Sequence, residues 1–462
     1  MIKMKLSEIA QSIGGRLIYG DAEVERVFTD SRESHAGGLF VALKGPHFDA
    51  HDFVAQVTEQ GAIGVVLEKE SVCQIPQIIV ENTKLALGQI AKLNREKLNA
   101  KMIAITGSSG KTTVKEMVAT ILQRVGNVLA TNGNFNNEIG APITLLRMNE
   151  SHQFGVIELG ANHAGEIAYT ASLTQPDVAM INNVAAAHLE GFGDLQGVAR
   201  AKGEIYGEIK SGGIAVVNLD DDFADYWLKH IEHQVITYSI EKQADVYASE
   251  ISLDEEQCAH FILTYQDKEL PVQLSLSGKH NVHNALAAAS CCLAIGISLE
   301  DIVKGLAVSP VVSGRLLTEK LENGCRVIDD TYNANLDSMK AAVDLLSNYS
   351  GRRVLVIGDM AELGEFGRQC HEEIGNFAAS KAIDCLYTCG VLTRFSQSAF
   401  DGEGLHFSNQ QELIQKIKQE AQSGTTILVK GSRSAHMEKV VTALMEISTL
   451  SSTEHASTEG KE

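Results

Sequence analysis

Apolar residues fall into short runs separated by longer amphipathic stretches along almost the whole chain. From Met102 onward, MIAIT, FGVIEL, DVAMINNV and GGIAVVNLD are runs of strand length that alternate with helix-like segments. This alternation predicts a mostly parallel sheet with helices on its faces. HFILTY and VQLSL follow a period of 2 instead, which predicts an antiparallel flap. A helix from His280 through the alanine run closes this region near residue 308.

A second sheet of similar kind is expected after Ser313. CRVIDD, RRVLVIGD, DCLYTCG and TTILVKG are separated by helical patterns, as in a Rossmann-like domain. Ahead of both lies a small α/β unit. Its amphipathic start (Leu6, Ile9, Ile13) precedes GGRLIYG, LFVAL and IGVVLE. The fold class is therefore α/β in three domains: 1–85, 86–312 and 313–450. The tail 451–462, SSTEHASTEGKE, has no apolar residue beyond one alanine and is expected to be disordered.

Length and composition narrow the function. A chain of 462 residues has room for two to four domains at roughly 100–200 residues each. Lys and Arg number 39 against 59 Asp and Glu, a formal charge of −20. Nucleic-acid binding normally needs a basic patch or stripe, so no nucleic-acid partner is expected. A small anionic substrate remains compatible, because a local Lys and Arg cluster can hold a phosphate on an otherwise acidic molecule. MIKMKLSEIAQSIGG has no apolar core after its lysines, so no signal peptide is expected. No stretch approaches the roughly 18 apolar residues of a membrane span. The eight cysteines are scattered, and neither Cys291 with Cys292 nor Cys385 with Cys389 has zinc-ligand spacing. Free thiols in a reducing cytoplasm, and a monomer acting on small molecules, are expected.

The sharpest motif is GSSGKTT, directly after the strand MIAIT and before a helical segment. Gly107, Ser108, Ser109, Gly110 and Thr113 form a loop whose backbone N–H groups can approach triphosphate oxygens, with a helix N-terminus adding favourable dipole charge. Lys111 would neutralise the β- and γ-phosphates of a nucleoside triphosphate, and the Thr112 hydroxyl would ligate Mg²⁺. The general phosphate-loop pattern has another glycine five residues before Gly110, where this chain has Ile105, so the loop is a shortened variant. The plain alternative is a capped glycine turn with Lys111 in solvent.

Three further residues follow at strand ends of the same sheet: Glu158 in FGVIELGANH, His188 in NNVAAAHLEGFG, and Lys202 on the next helix in ARAKGEIY. Singly each is bland: a salt-bridge partner, a core histidine, a solvated lysine. Their common placement is where open α/β sheets bind ligands.

TGSSGKTT, ELGANHAGEI, NVAAAHLEGFG, RAKGEIY and GKHNVHNALAA, in that order, resemble the central domain of the Mur ligases. The resemblance implies that Thr112, Glu158, His188 and a carbamylated Lys202 bind or support two Mg²⁺ ions, with Lys111, His188 and Lys202 as catalytic residues. It places Asn281 and Asn284 on the adenine side of ATP. Read without the family, these two are ordinary N-cap and helix-surface residues.

The flanking motifs extend the likeness over about residues 1 to 450. FTDSRESHAGGLFVALKGPHFDAHDF resembles the uridine-diphosphate domain, and implies that Ser31, Arg32 and Lys44 hold the UDP substrate. The amide-rich TNGNFNNEIGAP adds Asn134, Asn136 and Asn137 to that substrate. SGR places Arg315 on the ATP phosphates, and VIDDTYNANLDSM places Asp330 on the ribose. Asn333, Asn335, Lys430 and Arg433 then face the incoming amine. Leu336 departs from the proline usual after YNAN. YNAN, GDMAELG and VKGSRSAHME, with no DNPR, match the branch that joins D-alanyl-D-alanine to a UDP-N-acetylmuramoyl-tripeptide. The competing readings are another ligase of the superfamily (third-residue-adding or folylpolyglutamate-type), a phosphate-loop NTPase switch, and a non-catalytic nucleotide-binding module.

Overall fold

The computed structural model describes residues 1–32, 36–186, 189–308 and 314–456. Its centre is a nine-stranded sheet. Lys101–Thr106, the strand before the phosphate loop, lies between Phe154–Glu158 and Val178–Ile181, parallel to both. The chain reaches Val128–Ala130 and Phe154–Glu158 on one side before crossing to Val178–Ile181, Ile214–Asn218 and Gln234–Ser239 on the other. The strand order therefore reverses at Lys101–Thr106, and the carboxyl ends there open into a crevice. Register places Glu158 opposite Ile105 and Ile181 opposite Thr106, so Glu158 and the residues after Ile181 arrive beside the loop.

The period-2 segments are antiparallel, as expected: Cys258–Tyr265 pairs with Lys268–Ser277. They are continuous with the parallel sheet through Val246–Leu253, which the pattern did not reveal. That strand is partly exposed and shifts register between Ser249 and Ser252, which blurs its alternation. The single helix expected from His280 is two, His280–Ala294 and Leu299–Leu306. Gly296 at φ 87° turns the chain between them, and the Ser298 side chain accepts from Asp301 N to start the second.

The later sheet has six strands, with Arg326–Asp330, Thr425–Lys430, Arg352–Gly358, Cys385–Cys389 and Glu403–Phe407 parallel and Leu317–Lys320 antiparallel at one edge. Its apolar clusters draw on residues from 316 onward alone. The early unit is different. The division at residue 85 falls inside the helix Thr83–Glu96, whose Leu87, Ile90 and Ala91 share one cluster with Leu6 and Ile9 on one side and Ala104 and Ile157 on the other. The last helix, Glu438–Ala456, runs into the segment expected to be disordered; neither Gly nor Pro interrupts it.

A hairpin tip of the antiparallel flap touches the later sheet. The Arg326 guanidinium donates to the Glu256 carboxylate at 3.1 and 3.2 Å and stacks on Tyr349, 4.6 Å from the ring centre.

Candidate active site

The phosphate loop is built as its sequence requires. Gly110 starts the helix Lys111–Gln123 at φ 74°, a left-handed conformation that glycine adopts without strain. A Cβ there would also meet Asn182 Nδ2 at 2.3 Å and Asn284 Oδ1 at 2.6 Å. Lys111 Nζ donates to Gly107 O at 2.6 Å, folding its charge back over the loop. Desolvation pushes its ammonium below the ordinary range; Glu158 opposes that shift and Arg315 adds to it. A cation in these surroundings gains from an anionic ligand.

Two residues that sequence reasoning missed fix the loop. Asn183 Oδ1 accepts from Ser109 N at 2.9 Å, and its Nδ2 donates to Ser109 Oγ at 2.9 Å. Asn182 Nδ2 donates to Ser109 O and to Asn284 Oδ1, both at 3.0 Å. Asn284 Nδ2 in turn donates to Asn281 Oδ1 at 2.8 Å. The signal was two amides directly after a fully buried strand, Val178–Ile181, in the register of the loop. Asn281 and Asn284 are buried, and neither is the N-cap or on the helix surface. Both line a cavity of about 390 Å³, together with Ser109, Gly110 and Thr113 of the loop.

Glu158 is buried beneath the loop. Its carboxylate accepts from Thr112 Oγ1 at 2.9 Å and from Asn136 Nδ2 at 2.8 Å. A hydroxyl and a carboxylate side by side are hard oxygen donors, which suits Mg²⁺ with its remaining positions filled by water and phosphate. Asn136 thus orients the acid, while Asn137 Oδ1 accepts from Gly140 N at 2.8 Å at the start of the next helix. Asn134 is exposed. His188 lies outside the described residues.

Lys202, on the helix Leu195–Gly207, is buried with 2% of its surface exposed, so it is not a solvated lysine. Burial first, and then Lys111, push its ammonium well below the ordinary lysine range. No acidic side chain among the described residues forms an ion pair with it within 4.0 Å.

The later sheet supplies the opposite wall. Arg315 Nη2 donates to Thr112 Oγ1 at 3.3 Å, its plane stacks 4.4 Å from the Tyr332 ring centre, and its Nε is buried without a partner. Asn335 Nδ2 donates to Ser108 O at 3.3 Å. Lys430 Nζ donates to Asp330 Oδ2 at 2.5 Å and to Asn333 O at 3.0 Å, and both side chains of that ion pair line the cavity. Desolvation lowers the Lys430 ammonium below its usual range, against the pull of Asp330. Leu336 occupies the first helical position after Asn335. Proline is favoured there because the N–H is unpaired in any case, so leucine forfeits little, and the capping box of Asn335 and Ser338 holds the turn. Arg433 is exposed.

Ser31 and Arg32 lie in the turn after Val27–Phe28, Lys44 lies just after Leu39–Val41, both strands of the five-stranded sheet of the early unit, and none of the three lines the cavity. Ser31 O accepts from Gln56 Nε2 at 3.0 Å, Arg32 pairs with Asp30 at 2.6 Å, and Lys44 lies 4.0 Å from Asp49.

The Mur ligase middle domain matches residues 105–292, and the Mur ligase, glutamate ligase domain matches residues 314–433. The UDP-N-acetylmuramoyl-tripeptide–D-alanyl-D-alanine ligase of Escherichia coli is 45% identical over 96% of this chain and 99% of its own length. The chain belongs to the Mur ligase family. It is accordingly an ATP-dependent ligase, a peptide synthase. A crystal structure of MurF from Acinetobacter baumannii superimposes with a TM-score of 0.91 at 40% identity, over 96% of this chain and 99% of that one. The MurF ligase of Thermotoga maritima in complex with ADP gives a TM-score of 0.82 at 27% identity, over 91% and 97%. Among the described residues of this Mur ligase, no helix is long and apolar enough to cross a membrane.

Proposed function

We propose that this Mur ligase joins D-alanyl-D-alanine to UDP-N-acetylmuramoyl-tripeptide at the expense of ATP, in the synthesis of peptidoglycan precursors. The observation that carries the reading is identity with a ligase of that name along nearly the whole chain, 45% over 96%, flanking domains included. The geometry supports it. ATP enters the cavity with its triphosphate on Gly107–Thr113 and its ribose toward Asp330. The tripeptide carboxylate attacks the γ-phosphorus, the bond to the β-phosphate oxygen breaks, and ADP leaves. Lys111 and Arg315 face this step from two sides and offset the repulsion between anions. Two bound Mg²⁺ ions, with Thr112, Glu158, His188 and Lys202 as the residues that would bind or support them, would add further neutralisation of the phosphoryl oxygens. The amine of D-alanyl-D-alanine attacks the acyl carbon, the nitrogen loses a proton to solvent, the tetrahedral adduct expels phosphate, and the amide remains.

Lys202 takes part as a carbamate. Desolvation and a neighbouring cation disfavour the ammonium and so favour the neutral amine, whose nitrogen adds to the carbon of CO₂ and releases one proton to solvent. The resulting anion is favoured by Lys111, which repels the ammonium. The eight free cysteines fit a cytoplasmic enzyme.

The amine is the feature to test. With ATP, Mg²⁺ and UDP-N-acetylmuramoyl-tripeptide, product analysis by mass should show D-alanyl-D-alanine used far better than D-alanine, L-alanine or meso-diaminopimelate. Preference for diaminopimelate on a UDP-muramoyl dipeptide would instead establish a third-residue-adding ligase. Amine-independent ADP release with no amide product would establish an NTPase switch.

Closure of the later unit excludes water from the acyl phosphate. Arg315 and Asn335 reach the phosphate loop across that junction. Phosphate oxygens beside the unpartnered Arg315 Nε strengthen the junction further. Small-angle scattering should therefore show a smaller radius of gyration with an ATP analogue and the UDP substrate together than without them, and Arg315→Ala should abolish the difference. Equal radii for the unsubstituted protein in both conditions would refute nucleotide-dependent closure.

A further inference from the structure

Lys115 is buried, as Lys202 and Lys430 are, but no step described above uses it. It lies on the helix Lys111–Gln123, three positions after Thr112, with 1% of its surface exposed. Its Nζ donates to Thr131 O at 2.6 Å and pairs with the partly exposed Glu116 at 2.7 Å. An apolar side chain would fill this position without desolvating a charge. The cation is therefore retained for what it holds.

It holds the start of the amide-rich loop. Thr131 follows the strand Val128–Ala130 and opens TNGNFNNEIGAP. It is buried, its N donates to Val156 O at 3.1 Å, and its Oγ1 accepts from Glu158 N at 3.0 Å. Glu158 is thus gripped at three points. Thr131 holds its main chain, Asn136 of the same loop donates to Oε1, and Thr112 donates to Oε2. Thr112 and Lys115 are neighbours on one helix face. A ring closes from Thr112 through the Glu158 carboxylate, the Glu158 N–H and Thr131 back to Lys115. That ring sets the separation of the Thr112 hydroxyl from the Glu158 carboxylate. Mg²⁺ demands near-ideal octahedral geometry, so its affinity depends on this separation.

We propose that Lys115 is a positioning residue for the divalent-cation site: through Thr131 it holds the Glu158 carboxylate in register with the Thr112 hydroxyl. The inference rests on the assignment of Thr112 and Glu158 to Mg²⁺ and deepens it.

Mn²⁺ binding to the full chain saturated with the β,γ-imido analogue of ATP, followed by electron paramagnetic resonance, tests it without the ligase reaction. Affinity for the same analogue in EDTA is measured alongside by calorimetry. The unsubstituted complex should hold Mn²⁺ more tightly than the free analogue does. Lys115→Met keeps the stem and removes the ammonium. It should weaken Mn²⁺ binding about tenfold, the scale lost when an outer partner of a metal ligand is removed, and change metal-free analogue binding less than about twofold. Thr131→Val keeps the carbonyl and removes the acceptor for Glu158 N, and should weaken Mn²⁺ similarly. The double variant should be little weaker than either single, because both break one ring. Glu116→Gln leaves the bond to Thr131 and should bind Mn²⁺ within about twofold of the unsubstituted complex. If Lys115→Met does not fold, Thr131→Val carries the test. Unchanged Mn²⁺ affinity in the folded variants, or equal weakening of Mn²⁺ and of metal-free analogue, would overturn the positioning role and leave the metal assignment intact. An unsubstituted complex that holds Mn²⁺ no more tightly than the free analogue would overturn both.

Discussion

Lys111→Ala is expected to lower ligase turnover by about two to three orders of magnitude, the scale lost when one preorganised charge facing a developing anion is removed. The ammonium already sits over the loop on Gly107 O, and Glu158 and Arg315 are the charges that bear on it. Removing it leaves Arg315 as the remaining described cation that donates to the loop's Thr112. The helix beneath should persist, because the buried face of Lys111–Gln123 is formed by Val114, Met117, Val118, Ile121 and Leu122. Lost turnover with an unchanged thermal melt is therefore the expected pair of results. Near-normal turnover would remove this loop from the chemistry.

Lys202→Ala is the second large effect, and its two readings diverge. A purely structural lysine would give a variant with altered stability and retained activity. A carbamate gives a folded variant that has lost most activity and regains part of it in acetate or formate, because a small carboxylate can fill the vacated space with the missing oxygens. Neutral molecules of similar size should not restore it. Melting curves must accompany each assay, since Lys202 is buried beside Ala199, Ile205 and Tyr206 on the same helix. An active Lys202→Ala enzyme in bicarbonate-free buffer would end the carbamate proposal and leave the ligase intact.

The phosphate loop was legible because everything it needs is local: an apolar strand, glycines at the turn, and Lys111 and Thr112 opening the helix. The burial of Lys202 was legible too, but unread. Val198, Lys202 and Ile205 follow a spacing of four and three, which is the apolar stripe of an amphipathic helix. A lysine on that stripe is a buried lysine. Asn182 and Asn183 were legible only as two amides after an apolar strand. Their partners in the loop lie 73 and 74 positions away in sequence and are met only in the folded sheet. The edge strands Leu317–Lys320 and Glu403–Phe407 were missed for a different reason. They are half-exposed, so selection for apolar runs cannot find them.

The helix Thr83–Glu96 welds the early unit to the central sheet through one apolar cluster, whereas the later sheet keeps its own. This difference has an engineering consequence. In chimaeras between related ligases, residues up to about 308 should be exchanged as a single cassette. A cut near residue 85 would leave Leu87, Ile90 and Ala91 facing a foreign surface, and the hybrid should melt early or aggregate. A cut in the segment before Gly314 severs no shared core. The later sheet should be transplantable there, and the hybrid should melt close to its parents.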